Sequence, residues 1–257
     1  MRNWPSAVRW KLRYRGDEVF CPLCEKPAHE FLPNIKETAG HKAIDQYQIV
    51  SMGKRAHYRC PWCGSTDKER LVWWYLETIL APGQRVLHVA PEVQTRRRIQ
   101  AIPGIEYVSG DKFYGNERYH DGRYEGAAEI DITDLPYADE SFDIIICNHV
   151  LEHVEDDRRA LSELYRVVKP NGKAILQVPV SYQTKTIEDT SLKTEKEREQ
   201  SFGQIDHVRI YGTDYPTRLE EAGFTVTDIA PEDRPDLSKY GVNPREHLYI
   251  AERRTSL

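Results

Sequence analysis

The sequence lacks any long apolar run. No stretch of its 257 residues approaches the ~18 apolar residues that cross a bilayer, and charged residues make up 30% of the chain. The N-terminus, MRNWPSAVRWKLRYRG, also lacks the apolar core and the small-residue cleavage site of a signal peptide. We therefore expect a soluble, cytoplasmic protein that is large enough for one α/β domain and a small appendage.

Cysteine is scarce, yet four of the five cysteines are paired. The pairs are Cys21 with Cys24 and Cys60 with Cys63, each in a Cys-Pro-x-Cys turn. Since disulfides are rare in a reducing compartment, two such turns predict four thiolates around one structural zinc ion, with iron or a redox dithiol as alternatives. The pattern indicates a small zinc-ribbon-like module over residues 1–66. Three histidines between the pairs could replace a cysteine ligand: His29, His41 and His57.

A strong excess of positive charge is also absent. The net charge is −5, with 13 Lys/Arg against 8 Asp/Glu in residues 1–70 and 23 against 33 in the remainder. An excess of five positive charges falls short of a nucleic-acid footprint, so binding of nucleic acid is possible but not favoured. Aromatic and basic residues interleave over residues 1–16, including Trp4, Trp10 and Tyr14. This pattern suits stacking on bases, but we favour docking of the aromatics on the protein.

The segment 129–180 is the most informative part of the chain. Phe142–Cys147 (FDIIIC) is the apolar, β-branched run of a strand that is covered on both faces. A helix is predicted over 154–168, a turn over 169–172, and a second buried strand over 174–180. Strand, crossover helix and strand form a right-handed βαβ unit, which binds ligands at the carboxyl ends of its strands.

These motifs carry a family resemblance. FDIIICNHVLEHV and the following VVKPNGK resemble the second half of a class I S-adenosylmethionine (SAM) dependent methyltransferase of the type 11-like group. LHVAPE at 87–92, together with the CxxC pairs, is similar to a subgroup that reads LHxAPE. The resemblance covers roughly residues 60–253. It implies a Rossmann-like α/β fold whose sheet is mostly parallel with the last strand antiparallel, a methyltransferase domain over 67–257, and SAM as cofactor.

The turn after the first predicted strand, 85–90, lacks glycine. The family usually has an acidic residue and a glycine-rich turn here, whereas this chain has His88, Ala90, Pro91 and Glu92. The absence of GxGxxG also weakens a nicotinamide-dehydrogenase interpretation. We expect Pro91 at the first helical position and the helix N-terminus beside the cofactor's carboxylate. These four residues are candidate cofactor-binding residues, and the turn 90–92 would hold the methionine end of SAM.

Acidic residues lie at or just beyond the ends of the next two predicted strands, 105–109 and 127–132. Asp111 stands twenty residues after Pro91, where a Rossmann-like site holds ribose hydroxyls. The resemblance implies that Asp131 accepts a hydrogen bond from the adenine amino group and that Ile132 packs on the ring. Asp134 could share the role of Asp131.

The exit of the Phe142–Cys147 strand faces the expected meeting point of cofactor and acceptor. We expect Asn148 beside the cofactor and His149 as general base or acceptor orienter, with packing beneath the cofactor as the alternative. His149, Glu152 and His153 also spell the HxxEH of some zinc proteases. That interpretation is disfavoured, because the motif here begins at the end of a buried strand rather than on a longer helix.

The remaining predictions concern packing and the acceptor. A helix is predicted over 67–80 with Asp67 as N-cap, and its aromatic residues should pack the module against the body. The charged segment 181–212 is too long for a plain connector and is typical of a lid or binding loop. Its acceptor-side candidates are His207, which would act in catalysis, Arg209 and Tyr211.

The predicted function is methyl transfer from SAM to a small-molecule acceptor. Two alternatives stay open. One is an RNA- or protein-directed methyltransferase that uses the zinc module to bind its substrate. The other is a non-catalytic binding protein, which the glycine-free first turn would suit.

Overall fold

The structure is a computed structural model that describes residues 6–35, 39–112 and 126–255; Trp4 lies outside these residues. Its N-terminal part consists of two short hairpins and two helices; the first hairpin carries Cys21 and Cys24, and Cys60 and Cys63 follow the second. Their bounds are α1 (Ser6–Arg13), β1 (Val19–Cys21), β2 (Lys26–Ala28), β3 (Leu32–Asn34), α2 (His41–Tyr47) and β4 (Arg55–Arg59). Strand β1 pairs with β2 and β3 with β4, both antiparallel.

The body alternates strands and helices. Its first half contains α3 (Asp67–Ile79), β5 (Arg85–Val89), α4 (Val93–Gln100), β6 (Glu106–Asp111), β7 (Ala128–Glu129) and β8 (Phe142–Cys147). Its second half contains a 3₁₀ turn (Leu151–His153), α5 (Asp157–Val167), β9 (Val168–Ile175), β10 (Ile187–Glu188), α6 (Glu195–Phe202), β11 (Arg209–Ile210), α7 (Tyr215–Glu221), β12 (Thr225–Ile229), 3₁₀ turns at Pro231–Asp233 and Pro235–Tyr240, and β13 (Leu248–Glu252).

One seven-stranded sheet organises this body, in the order β12-β13-β9-β8-β5-β6-β7. Pairs from β9 through β7 are parallel, whereas β13 is antiparallel to both of its neighbours. The predicted Rossmann-like sheet with an antiparallel last strand is therefore confirmed. The chain leaves β5 towards β6 on one side and later returns to β8 on the other. Ligands bind at such a switch point in doubly wound sheets.

The unit around β8 differs from its prediction in one strand. Strand β8 has the predicted bounds, and α5 begins at Asp157 with the Asp156 carboxylate accepting from Arg159 N at 2.9 Å. Strand β9, however, starts at Val168 and ends at Ile175, rather than covering 174–180. The Pro-Asn-Gly sequence lies inside the strand at an irregularity of the β8–β9 register, where Asn171 has φ 61°. Turn-forming residues thus make a bulge here instead of a connection.

Helix α3 begins one residue differently from its prediction. Thr66 is the N-cap, and it forms a capping box in which its Oγ1 accepts from Glu69 N and Glu69 Oε2 accepts from Thr66 N. The predicted N-cap, Asp67, instead accepts a hydrogen bond from Arg55 Nη1 at 2.9 Å. The sequence Thr-x-x-Glu carries this signal, since reciprocal capping satisfies two of the free N–H groups at a helix start.

The hairpins and the sheet share a hydrophobic core. Cys21, Phe31 and Cys60 belong to one buried cluster with Leu71 of α3, Val86 of β5 and Leu248 of β13. Trp73 is 2% exposed within this cluster, which confirms its predicted packing role. The boundary at residue 66 stays a prediction. Within the described ranges, the chain forms no helix long and apolar enough to span a membrane.

Candidate functional site

The two Cys-Pro-x-Cys turns bring their four sulfurs together. Cys21 Sγ lies 3.7 Å from Cys63 Sγ, and Cys24 Sγ lies 3.7 Å from Cys60 Sγ. Thiolates bound tetrahedrally to zinc at about 2.3 Å stand about 3.8 Å apart, so this spacing fits the ion. Ser65 Oγ lies 3.3 Å from Cys21 Sγ and 3.1 Å from Cys63 Sγ. None of the five cysteines forms a disulfide, and the fifth, Cys147, is fully buried in β8 as predicted.

A buried arginine braces this cysteine cluster against the body. Arg70 of α3 is fully buried, and its guanidinium lies 3.7 Å from the centre of the Phe31 ring. It donates hydrogen bonds to five backbone carbonyls: those of His57 (2.5 Å), Tyr58 (3.4 Å), Ser65 (2.9 Å), Tyr240 (2.5 Å) and Gly241 (3.2 Å). One planar cation therefore links the second hairpin to the segment before β13.

The turn after β5 is held by side chains. Helix α4 starts at Val93 with Glu92 as N-cap, so Pro91 is not the first helical residue as predicted. Glu92 Oε2 lies 2.6 Å from His88 Nε2, and Asn148 Nδ2 donates to Glu92 Oε1 at 3.3 Å. Burial would raise the pKa of Glu92, but its hydrogen bonds with His88 and Asn148 hold that pKa below its usual value. The turn therefore presents an ionised carboxylate.

Two further details mark this turn and its surroundings. Ala90 has φ 49°, a left-handed conformation that a glycine would adopt without strain. Among the residues that the structure describes, Asn148 Oδ1 is a buried acceptor without a hydrogen-bond partner. A buried amide oxygen of this kind is costly unless a donor reaches it. The space between β5 and β8 therefore suits a group that donates hydrogen bonds.

The predicted nucleoside residues lie on the next strand ends. Asp111 ends β6 and its Oδ1 accepts from Lys112 N at 2.7 Å. Asp131 accepts hydrogen bonds from Lys112 Nζ (2.5 Å) and from Thr133 N (2.9 Å), and Ile132 is 5% exposed. Burial would raise the pKa of Asp131, but these hydrogen bonds outweigh it and hold the pKa at about 2. The order β8-β5-β6-β7 thus brings all eight predicted cofactor residues to one edge of the sheet.

A cavity of about 450 Å³ opens beside this edge. Its walls come mainly from the second hairpin with the segment between β3 and β4, from the turn after β8, and from α6 with the segment that follows it. Its polar lining consists of Asn34, Ser51, Arg55, Tyr58, Lys68, His149, Glu152, His153, Glu199, Gln204 and His207. The segment between β3 and β4 and the charged segment 181–212 therefore meet at one cavity.

His149 stands at the entrance from β8 into this cavity. Its Nδ1 lies 3.3 Å from Glu152 Oε1 and 3.4 Å from Lys68 Nζ, and its backbone has φ 54°. Burial and the nearby Lys68 charge lower the pKa of His149. Within the described part of the chain, its Nε2 has no hydrogen-bond partner.

His153 and His207 form a pair on the same wall. Their ring centres lie 4.7 Å apart, and His153 Nε2 lies 3.9 Å from Glu152 Oε1. His153 Nδ1 faces Asp206 Oδ2 at 3.5 Å. Burial lowers the pKa of His207 to about 4. His207 and His149 therefore line the same cavity, and the catalytic role of His207 stays a prediction.

The other two acceptor-side candidates have structural roles. Arg209 is 4% exposed and donates to the carbonyls of Leu151 (2.8 Å) and Glu155 (2.9 Å). Tyr211 is fully buried, and its hydroxyl donates to Asp157 Oδ2 at 2.6 Å. Both predictions were wrong because these side chains attach the segment to the 3₁₀ turn and α5, which only the tertiary structure reveals.

Two residues of the cavity region were missed from the sequence. Lys68, in the first turn of α3, lines the cavity although that helix was predicted only to pack. Glu246 is 3% exposed and accepts hydrogen bonds from Ser51 Oγ and from Gln177 Nε2 (2.9 Å). Neither residue lies in a motif, so the sequence offered no signal for them.

Comparisons with known proteins support the predicted methyltransferase domain. Residues 96–176, about a third of the chain, match the family described as "Methyltransferase domain". Demethylmenaquinone methyltransferase of Renibacterium salmoninarum is 37% identical over 97 residues, which are 37% of this chain and 41% of that protein. Ubiquinone/menaquinone biosynthesis C-methyltransferase of Geotalea daltonii is 30% identical over 107 residues, covering 37% of this chain and 46% of that protein. The chain thus spans less than half the length of these relatives.

A solved structure is also similar. Phosphoethanolamine N-methyltransferase 2 of Haemonchus contortus, in complex with S-adenosyl-L-methionine, matches with a TM-score of 0.49 and 14% identity, over 75% of this chain and 53% of that one.

Proposed function

We propose that this protein is a SAM-dependent methyltransferase that acts on a polar small molecule in the cavity beside β8. One observation carries the proposal. The carboxyl edge of the sheet holds an ionised Glu92, a buried unpartnered Asn148 Oδ1 and the carboxylates of Asp111 and Asp131, and it adjoins a cavity lined by histidines. The match of residues 96–176 to a methyltransferase domain supports the same activity.

The residues at the switch point suit the methionine end of SAM. Its ammonium group donates hydrogen bonds, and Glu92 and Asn148 Oδ1 supply acceptors between β5 and β8. Its carboxylate suits the N-terminus of α4, where free N–H groups carry partial positive charge. Asp111 and Asp131 would accept hydrogen bonds from the ribose hydroxyls and the adenine amino group. Bound SAM would supply an activated methyl group on a sulfonium.

The chain's own contribution is alignment and removal of a proton. Methyl transfer is an in-line displacement, so catalysis depends on holding the acceptor atom opposite the sulfonium methyl. His149 Nε2 is the general-base candidate, since this atom is unpartnered within the described residues and its side chain lines the cavity. Lys68 and Arg55 add positive charge to the lining, which would favour an acceptor that carries an ionisable hydroxyl or an acidic group.

The names of the relatives favour a hydroxylated ring as the first acceptor to test. Two of them are named for methylation in menaquinone or ubiquinone biosynthesis. A reduced quinone carries ring hydroxyls that would suit the histidine-lined wall. The cavity also contains Ile44, Met52, Pro179 and Ile205, which would contact an apolar ring.

We further propose that the four cysteines hold structural zinc. The sulfur spacing fits a tetrahedral site, and all four positions are thiolates, so the set leaves no open coordination position. The ion would join the first hairpin to the turn that follows β4, and the second hairpin, with the segment between β3 and β4, forms one wall of the cavity.

Binding of S-adenosylhomocysteine tests the cofactor site. At a hundredfold its dissociation constant, a one-site ligand adds ~2.7 kcal/mol to the free energy of unfolding. For a chain of this size the unfolding midpoint should rise by roughly 5–10 °C. Asp111→Ala should abolish most of the shift. Asp139→Ala, at the amino end of β8 and paired with Arg166, is the matched control and should shift like the wild type.

Turnover tests the activity. SAM consumption with a panel of hydroxylated aromatic and quinol acceptors should identify a substrate, and His149→Ala should then lower kcat by roughly 10²–10⁴-fold. If neither the wild type nor the Asp139 control binds S-adenosylhomocysteine, the cofactor proposal is wrong and a binding protein with another ligand is favoured.

A further inference from the structure

Glu152, His153 and His207 form a cluster that the proposed methyl transfer does not use. One carboxylate oxygen and one nitrogen from each imidazole lie within 4.8 Å of one another. An ion with bonds of about 2.1 Å holds its ligand atoms about 3–3.5 Å apart. Side-chain rotations that move these atoms by about 1 Å would therefore bring them to the spacing of a metal site. Two imidazoles and one carboxylate with open positions are typical of catalytic rather than structural metal sites.

The cluster is oriented as metal ligands usually are. Asp206 Oδ2 faces Nδ1 of His153, which leaves the Nε2 of the same ring directed towards Glu152. A carboxylate on the outer nitrogen of a ligating histidine is a common feature of metal sites, because it fixes the ring and raises its basicity.

The two backbone segments that carry these residues are hydrogen-bonded to each other. Val208 N donates to the Glu152 carbonyl at 2.9 Å, directly after His207. Arg209 donates to carbonyls of the same 3₁₀ turn, including that of Leu151 at 2.8 Å. The two segments, more than fifty residues apart in sequence, are therefore held in register before any ligand binds, as a site with preset geometry requires.

An unpartnered atom points to a missing partner at this cluster. Glu152 is 2% exposed, and its Oε2 has no hydrogen-bond partner among the residues described by the structure. A buried carboxylate oxygen in that state is costly unless a cation or a donor reaches it. His149 lies outside this set; its Nδ1 lies 3.3 Å from Glu152 Oε1 and 3.4 Å from Lys68 Nζ, and its Nε2 is the proposed general base.

We propose that Glu152, His153 and His207 bind a divalent transition metal ion whose open positions face the cavity. Imidazole ligands favour zinc, cobalt, nickel or ferrous iron over magnesium. Resting on the proposed function, the ion would bind the acceptor's hydroxyl oxygen. The proton of that hydroxyl would pass to His149, and the oxygen would form its bond to the methyl carbon as the carbon–sulfur bond breaks, leaving the electron pair on sulfur.

Titration with Co²⁺ tests the site without any turnover. The protein is used as isolated, with the cysteine site loaded, and bound Co²⁺ is measured by equilibrium dialysis and visible absorption. We expect one further equivalent with weak d–d bands and without thiolate charge-transfer absorption. Glu152→Gln and His207→Ala should lose this equivalent, and Asp206→Asn should bind it 10–100-fold more weakly.

The matched control is His247→Gln. This histidine is also paired with an aspartate, since its Nδ1 lies 2.9 Å from Asp228 Oδ1, but it lies outside the cluster. It should bind Co²⁺ like the wild type. Near-ultraviolet circular dichroism checks that each variant is folded. If His207→Ala does not fold, the near-isosteric Glu152→Gln tests the metal site by itself. The proposal is overturned if the wild type binds no further equivalent, or if folded Glu152→Gln binds it equally well. Either result leaves the S-adenosylhomocysteine test unaffected.

Discussion

The cysteine cluster and the Glu152–His153–His207 cluster are the two groups of metal-ligating side chains among the described residues, and they are built in opposite ways. In the first, every ligand comes from a short turn with fixed spacing, and the sulfurs lie against one another. In the second, the ligands come from two distant segments, one oxygen is unpartnered, and the set borders a cavity. The first arrangement is closed, because it leaves no open coordination position, and it is typical of structural metal sites. The second is open, because it leaves coordination positions that face the cavity, and it is typical of catalytic metal sites.

This difference explains what could be predicted from the sequence. The Cys-Pro-x-Cys spacing and the FDIIIC strand are local or periodic signals, and the structure agrees with them; the antiparallel last strand was implied by the family resemblance. His207 was predicted from its place in an overlong segment, although its contact with His153 depends on how that segment folds back. Lys68 and Glu246 reach the cavity region only through tertiary packing, and no pattern marked them.

The strand ends show an intermediate case. Asp111 and Asn148 were predicted from their positions after strands, because parallel strands end at one edge, whereas the role of Asp131 was implied by the family resemblance. The hydrogen bonds of Glu92 with His88 and Asn148 were not predicted, since they depend on side chains from β5 and β8 that only the sheet brings together. Register and pairing were therefore the missing information.

If the closed cluster stabilises the fold, removing one sulfur should have the largest effect. Cys60→Ser should release the metal and unfold the hairpins, because a structural zinc ion contributes on the order of 10 kcal/mol to small modules. Metal analysis and hydrogen exchange of the N-terminal amides would measure both losses. Cys147→Ala, which removes the cysteine in β8, should retain the metal. Full retention of metal by Cys60→Ser would contradict the closed-site interpretation.

Substitution of Arg70, which links the hairpin that precedes Cys60 to the body, should have the next largest effect on stability. Arg70→Met should lower the free energy of unfolding by about 3–5 kcal/mol, since several buried carbonyls would lose their donor. Denaturant unfolding measures this change. Arg97→Met on the exposed side of α4 is the control and should change stability by less than about 0.5 kcal/mol. Equal effects of the two substitutions would show that Arg70 does not link the hairpins to the body.

Near the cavity, by contrast, removing the ionisable carboxyl of Glu246 should stabilise the fold. Burial raises the pKa of Glu246 from its ordinary 4.5 to about 7, even though the Lys68 charge lowers it; Asp67 and Arg55 also act on it. Between these two values the unfolded chain loses its proton while the folded chain keeps it, so stability falls as pH rises from about 4.5 to about 7. Above pH 7 the loss is constant.

Glu246→Gln removes this penalty. Relative to the wild type, its free energy of unfolding should be higher by up to about 3 kcal/mol at pH 8 and similar near pH 4.5. Urea unfolding at several pH values measures the difference, and comparison with the wild type cancels the titration of the histidines. Glu106→Gln, at an exposed carboxylate paired with Arg85, should show no such trend. A constant difference across this range would mean that the Glu246 carboxyl titrates normally.

The smallest effect should come from the backbone of the cofactor turn. Ala90 has φ 49°, and a left-handed conformation costs an L-residue about 1–2 kcal/mol, whereas glycine loses about 0.5–1 kcal/mol more entropy on folding. Ala90→Gly should therefore stabilise the fold by about 0.5–1 kcal/mol. Ala160→Gly, at a buried position inside α5, should instead destabilise it by about 1 kcal/mol or more. If both substitutions destabilise the protein equally, Ala90 is not strained. If only Ala90→Gly stabilises it, the turn beside β8 holds strain of the kind that proteins retain at sites of function.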